Sequence, residues 1–226
     1  MIDTSSAIRN ITVIVVAALL LGAGSVASAS DGDFRYWSEA SFLVPIRDDW
    51  QFKFEHKFDF EDEARRLGYQ EHDYGFVYSG LADGLKMSAV LKVVHAKTGD
   101  REDWIREIRP HFNVSLRSKL LGLDLSNRSR FEYRDVEDKD AAWRFRHKVR
   151  LVSPVTFTSW QVKPYIADEL FYKFDSRRFS GQRFYAGFYV PLAETIRLEL
   201  FYLWYLYDDD HWHDTNVLGS HLRFTF

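Results

Sequence analysis

The sequence contains no cysteine, which excludes disulfide bonds, thiolate zinc clusters, thiol chemistry and lipid attachment through a cysteine. Long apolar runs are also missing, because no segment reaches the roughly 20 residues that a membrane-spanning helix needs. There is no glycine-rich phosphate loop. The formal net charge of −3 indicates no polyanionic partner such as a nucleic acid.

Residues 1–29 have the features of a secretory signal peptide. Arg9 precedes an apolar run from Ile11 to Leu21, and Ala27-Ser28-Ala29 matches an A-x-A cleavage site. The alternative interpretation is an uncleaved N-terminal anchor. We expect a leader over residues 1–29 and a mature domain over residues 30–226, in which any further membrane crossing would be made by strands.

Apolar and polar residues alternate through most of this domain, a period of two that a pleated strand imposes. In segment 49–60, aromatic residues alternate with polar ones, and His56 is the exception on the aromatic face. Eleven segments fit a strand: 34–44, 49–60, 69–80, 85–95, 104–117, 123–134, 143–152, 160–174, 181–190, 195–207 and 215–226. The pattern predicts an all-β fold, a single antiparallel up-and-down transmembrane β-barrel of 10–12 strands. Because single-chain bacterial barrels normally close with an even number, we expect ten or twelve strands.

The apolar face of these segments is predicted to contact lipid in the outer membrane of a Gram-negative cell. Trp104 and Trp143 lie near one set of connections and Trp50 near the other, as in the aromatic belts of membrane proteins. Turning Lys53 or Arg146 toward lipid instead would cost roughly 2–4 kcal/mol each at the midplane. A soluble barrel with a buried apolar face is the competing interpretation.

The connections between segments also alternate in character. Short ones, such as 81–84 and 191–194, predict periplasmic turns, and longer charged ones, such as 61–68 and 135–142, predict outer loops. This assignment places Phe226 on the periplasmic side. Gly219, Leu222, Phe224 and the final Phe226 resemble the signature that the barrel-assembly machinery reads, so this machinery and outer-membrane lipid are the expected partners.

Two neighbouring segments place many cations on their polar face. The predicted contacts for small anionic solutes are Arg128, Arg130, Arg134, Arg144, Arg146, Lys148 and Arg150. One interpretation is a water-filled lumen that selects anions, because rings of Arg and Lys favour them. The other is a closed structural barrel, serving envelope integrity or protein partnering, in which Glu132 and Glu169 are counter-ions in pairs such as Arg130–Glu169.

Other candidate sites are weaker. The acidic stretch 208–214 contains two histidines and could bind a divalent cation, but a solvated outer loop explains it better. Ser220 and His221 are adjacent on a strand and point to opposite faces, so they cannot form a catalytic pair. We therefore predict no catalytic residues, no metal and no cofactor.

Several short motifs resemble the bacterial family called domain of unknown function 2490. They are Trp37 with the 50–60 strand, Arg128 to Arg134, Trp143 to Arg146, Pro164 to Phe171, and Arg183 to Gly187. The resemblance covers nearly the whole mature chain and implies an outer-membrane barrel, with no activity to transfer. The architecture is also similar to narrow porins for acidic oligosaccharides, whose pores are lined by arginines, but such a likeness of fold does not establish function.

Overall fold

The computed structural model describes residues 34–97, 103–156, 158–209 and 211–226, without the side chain of Asp209. These residues form eleven strands, one for each predicted segment: β1 (Phe34–Arg47), β2 (Trp50–Glu61), β3 (Arg66–Tyr78), β4 (Leu85–Lys97), β5 (Trp104–Leu120), β6 (Leu123–Val136), β7 (Ala142–Val152), β8 (Lys163–Lys173), β9 (Arg178–Ala193), β10 (Ile196–Asp209) and β11 (His211–Thr225). The expected leader over residues 1–29 lies outside the described residues. Within the described ranges, no helix is long and apolar enough to cross a membrane.

The strands close into one barrel in which each strand pairs with its neighbours in the chain. All of these sequential pairs are antiparallel, and the barrel is closed by β1 and β11, which run parallel to each other. The eleven strands of the described residues lie within the predicted range of 10–12 and confirm a single closed barrel, but the expectation of an even number is wrong. Parallel pairing of the first and last strands is what allows an odd number to close.

The two ends of the barrel carry five connections each. We call the end with residues 48–49, 121–122, 194–195 and the C-terminal Phe226 the turn end, and the end with residues 62–65, 137–141 and 174–177 the loop end. The predicted alternation of short and long connections is wrong. The longest connection, residues 153–162, lies at the turn end, while β3 and β9 extend into segments expected to be long loops.

Alternation along each strand separates a polar inward face from an apolar outward face, as the pattern predicts. Inward side chains such as Lys92, Arg130 and Glu169 are almost completely buried. Outward side chains such as Phe76, which is 51% exposed, and Phe112 remain open to the surroundings although they are large and apolar. The polar residues of this chain therefore form the packed interior, and the aromatic residues form much of the outer surface.

Some outward positions are polar, and several of these are paired. His56 of β2 lies opposite His72 of β3, with ring centroids 6.2 Å apart. Asp168 accepts a hydrogen bond of 2.9 Å from the Gln182 side chain on the neighbouring strand. A hydrogen bond such as that between Asp168 and Gln182 lowers the cost of placing polar groups in an apolar environment.

Side chains also join β1 to β11 on both faces of the barrel. Inside, Ser41 Oγ and His221 Nε2 form a hydrogen bond of 2.8 Å. Outside, Tyr36 and Ser220 share a hydrogen bond of 2.7 Å, and the Phe42 ring stacks on Phe224 with centroids 4.7 Å apart. The final strand is thus fixed in register by polar and aromatic contacts as well as by the backbone.

Candidate functional site

The predicted basic residues all lie on the inward face, where they surround a central cavity of about 530 Å³. The cavity is lined by Arg128, Arg130, Arg134, Arg144, Arg146, Lys148, Arg150 and Glu169. Glu132 lies behind this lining with 0% of its surface exposed. The register explains the grouping, because β6 and β7 pair so that Arg128 faces Lys148 and Arg130 faces Arg146.

Glu132 is the carboxylate at the centre of this group. Its Oε2 lies 2.6 Å from Arg144 Nη2, and its Oε1 lies 3.0 Å from Arg146 Nη1 and 3.3 Å from Arg130 Nη1. A buried carboxylate is tolerated only when such partners replace the water it has lost. Three guanidinium groups therefore share one fully buried counter-ion.

Glu169 holds a second set of cations. Its Oε1 lies 2.8 Å from both Arg128 Nη2 and Arg146 Nη2, and its Oε2 accepts a hydrogen bond of 3.2 Å from the Tyr185 hydroxyl. Arg146 thus bridges Glu132 and Glu169. The pair Arg130–Glu169 is not the one formed. Arg130 instead donates to Asn113 Oδ1 over 2.6 Å.

Glu107 of β5 is a third counter-ion, which the sequence reasoning missed. Arg134 donates to both of its oxygens over 2.7 and 2.9 Å, and Arg109 donates to both over 2.7 Å. Two-pronged contacts of this kind suit the planar guanidinium group. Glu107 and Arg109 are two residues apart on one strand, so their shared face was available as a signal.

The last two predicted cations contact aromatic rings. Lys148 Nζ lies 3.4 Å from the centroid of the Tyr185 ring, and among the described residues no carboxylate oxygen lies within 4.0 Å of it. The Arg150 guanidinium lies 4.7 Å from the Tyr165 ring centroid and binds Glu199 over 3.2 Å. Cations are attracted to the negative face of such rings.

These rings belong to an aromatic wall that the sequence reasoning also missed. Its side chains come from β1, β8, β9 and β10, and they are Trp37, Tyr165, Phe171, Tyr185, Tyr189, Phe201 and Tyr205. Arg183 lies between three of them, with its Cζ 4.2 Å from the Tyr205 centroid and 4.9 Å from those of Trp37 and Phe171. On β8, β9 and β10 these aromatic residues are an even number of positions from Glu169, Arg183 or Glu199. The alternation of the sequence could therefore have shown that they point inward.

Ion pairs also cover the wall formed by β1 to β4. Lys92 contacts Glu71 and lies 3.3 Å from Asp73, Arg35 lies 2.9 Å from Asp59, and Lys53 lies 2.9 Å from Glu55. The middle of the barrel is therefore a network in which most cations have a carboxylate partner.

A second cavity, of about 540 Å³, lies at the turn end and shares Arg117, Arg150 and Arg223 with the central one. Five inward cations belong to this region: Lys86, Arg117, Lys163, Arg197 and Arg223. We call them the basic mouth. In the part of the chain that the structure describes, none of the five has a carboxylate oxygen within 4.0 Å. Asp124, the acidic residue of this cavity, binds Lys119 over 3.3 Å.

A third cavity, of about 400 Å³, lies at the loop end and shares Arg134, Arg144 and Tyr205 with the central one. Its charges are mixed, since Asp140, Asp175 and Asp208 lie among its cations. Because the central cavity shares lining residues with both of the others, the three follow one another along the barrel.

The acidic stretch 208–214, considered above as a cation site, makes contacts within the protein. Asp208 binds Arg178 over 2.9 Å, and Asp214 accepts a hydrogen bond of 3.0 Å from Trp204 Nε1, while Asp210 lies outside the described residues. No group of three His, Asp or Glu side chains within the described ranges is arranged to hold a metal ion.

A serine, a histidine and carboxylates do meet inside the barrel, at Ser41 and His221. His221 Nδ1 is 3.7 Å from Glu39 and 3.9 Å from Glu199, beyond hydrogen-bond distance. Ser41 is only 1% exposed, although it and His221 both belong to the lining of the central cavity. This contact joins β1 to β11, and it has the hydroxyl–imidazole hydrogen bond of a nucleophilic centre without a carboxylate that hydrogen-bonds the other ring nitrogen.

Comparison with known proteins gives a family. No curated protein matches the chain. The family model described as "Protein of unknown function (DUF2490)" matches residues 34–216, and the chain therefore belongs to this family.

Proposed function

We propose that this protein is an outer-membrane β-barrel that acts as a narrow passive conduit for small anionic solutes. The observation that carries the proposal is the series of three cavities along the barrel and the charge around it. Sixteen Lys and Arg side chains line the central cavity against six Asp and Glu. This excess contrasts with the formal net charge of −3 for the whole chain.

The physical basis is electrostatic. Rings of Arg and Lys in a pore lower the energy of an anion and raise that of a cation. A narrow passage surrounded by protein of low dielectric constant concentrates this field. Asp73, Glu107 and Glu132 are buried behind the lining and reduce the excess of positive charge without cancelling it. An anion would therefore enter more readily than a cation of the same size.

The membrane location is supported by the outward face. Large apolar side chains such as Phe76, Phe112, Phe131, Phe188 and Leu218 are between 43% and 51% exposed. A water-soluble protein rarely exposes so much contiguous apolar surface. Lipid contact, and recognition of the C-terminal strand by the assembly machinery, follow as proposals from this face and from the terminal aromatic residues Phe224 and Phe226.

A closed structural barrel is the competing function, and the ion-pair network favours it. Glu107, Glu132 and Glu169 each hold two or three guanidinium groups in fixed positions across the interior. Small barrels fill their interiors with side chains in this way. In that case the protein would serve envelope integrity or bind a partner protein, and no solute would pass.

Planar-bilayer recording separates the two functions. The protein purified in detergent is inserted into a bilayer, and the reversal potential is measured under a KCl gradient. We expect a small conductance with anion preference. Lys148→Gln should reduce that preference, because Lys148 lines the central cavity without a carboxylate partner among the described residues.

The matched control is Arg65→Gln, which removes one positive charge from the exposed turn at residues 62–65. It should leave the reversal potential unchanged. No conductance, or a cation preference that Lys148→Gln leaves unaltered, would reject the conduit and favour the structural barrel.

A further inference from the structure

The basic mouth differs from the rest of the interior because its cations have each other as neighbours. Arg223 is close enough to both Lys86 and Arg197 to repel them, while Glu199, which is bound to Arg150, attracts Arg197 and Arg223 from beyond 4.0 Å. All but Arg117 are partly buried, so water screens their charges only in part. Clustering like charges in this way is unfavourable unless something of opposite charge accompanies them.

The nearby groups are suited to an oxygen-rich anion. Arg117, Arg197 and Arg223 carry planar guanidinium groups, which bind carboxylate or phosphate oxygens in pairs. The Arg197 Cζ lies 4.6 Å from the Tyr189 ring centroid, a contact that orients its side chain. Arg150, on the wall between this cavity and the central one, has a buried Nε with no hydrogen-bond partner among the described residues.

The cavity also limits the size of the ligand. Its volume of about 540 Å³ lies within the range of pockets that hold small molecules. A single monovalent ion such as chloride would contact only a part of the mouth. A compact molecule with several negatively charged oxygen groups could contact guanidinium groups from β5, β10 and β11 together.

We propose that the basic mouth is a binding site for a small, multiply charged oxyanion of the phosphate-ester or polycarboxylate class. The inference rests on the proposed function, in which this site collects the solute at the turn end. It adds what the conduit alone does not require, namely saturable binding with a preference for ligands of more than one charge.

The test is isothermal titration calorimetry on the protein purified in detergent at low ionic strength. The probes are pyrophosphate and citrate, with acetate as the monovalent comparison. We expect saturable binding of pyrophosphate or citrate, and the tighter of the two identifies the class. Arg223→Gln should weaken this binding about tenfold or more, because it removes a charge-assisted contact, and Arg65→Gln should leave it unchanged.

Lys86→Gln, on the opposite side of the mouth, serves as a second variant in case Arg223→Gln does not fold, and circular dichroism checks the barrel in both. Acetate binding as tightly as pyrophosphate and citrate, or no change in either variant, would overturn the site. Saturable binding together with an absence of conductance would reject the conduit and keep the site. Anion conductance without saturable binding would keep the conduit and reject the site.

Discussion

The middle of the barrel and the basic mouth are both rich in Lys and Arg, but they balance this charge differently. In the middle, Glu132 and Glu169 lie within ion-pair distance of Arg128, Arg144 and Arg146. At the turn end, the cations of the basic mouth have no such partner among the described residues. The same basic sequence pattern therefore occurs in two settings. In the middle, ion pairs with carboxylates stabilise the fold, and at the turn end the unpaired charge is available to a ligand.

The distribution of acids follows the same division. Carboxylates alternate with cations on β5 and β6, where Glu107 and Glu132 are placed two residues from an arginine. Near the turn end, Asp124 is the acid of the cavity and it already binds Lys119. Three substitutions can test this difference between the middle of the barrel and the basic mouth.

The largest effect is expected from Glu132→Gln in the middle of the barrel. The substitution removes the buried carboxylate that Arg130, Arg144 and Arg146 share, and of these three only Arg146 keeps another carboxylate among the described residues, Glu169. Breaking a buried ion pair costs about 3–5 kcal/mol. Urea unfolding followed by tryptophan fluorescence should show the loss. Glu194→Gln, in the exposed turn at residues 194–195, is the control. Equal stability of the two variants would mean that the network does not hold the fold.

Ser126→Glu would make the basic mouth resemble the middle. Ser126 lines the turn-end cavity and lies opposite Arg117 on one side and Arg150 on the other. A carboxylate there should bind these cations and weaken pyrophosphate binding about tenfold, as measured by calorimetry. Ser126→Gln separates size from charge and should weaken binding less. Equal losses in the two variants would show that space, and not charge, decides binding.

The smallest effect is expected from Arg223→Gln on stability. Because this side chain has like-charged neighbours and no carboxylate within 4.0 Å in the described ranges, its removal should change the free energy of unfolding by no more than about 0.5 kcal/mol. The change should be small because the substitution relieves repulsion from Lys86 and Arg197 and also removes the attraction to Glu199. A loss as large as that of Glu132→Gln would erase the distinction between the two regions.

The strands were predictable because a period of two is a local property of the sequence. All eleven segments became strands, including 34–44, and the inward direction of residues such as Arg128 and Arg146 followed from alternation alone. The expectation of an even strand number was wrong because an even count is only a tendency of bacterial barrels. The sequence of a single strand also does not show how the first and last strands pair.

The ion pairs were only partly predictable. Alternation gives the face of a residue but not its height in the barrel, which depends on the register summed over several strands. Glu169 was predicted as a counter-ion, yet its partners are Arg128 and Arg146 and not Arg130. Arg150 and Glu199 meet across 49 residues of sequence, a distance over which pattern carries no information.

The parallel pairing of β1 with β11 has a consequence for how the chain assembles. Every other strand pair joins neighbours in sequence and can form as soon as a hairpin is made. This one joins residues such as Ser41 and His221, 180 positions apart, and must wait for the complete polypeptide. Until then both strands expose a row of unsatisfied backbone groups, an edge that recruits other chains. A truncation that removed either terminal strand would leave an open sheet prone to aggregation.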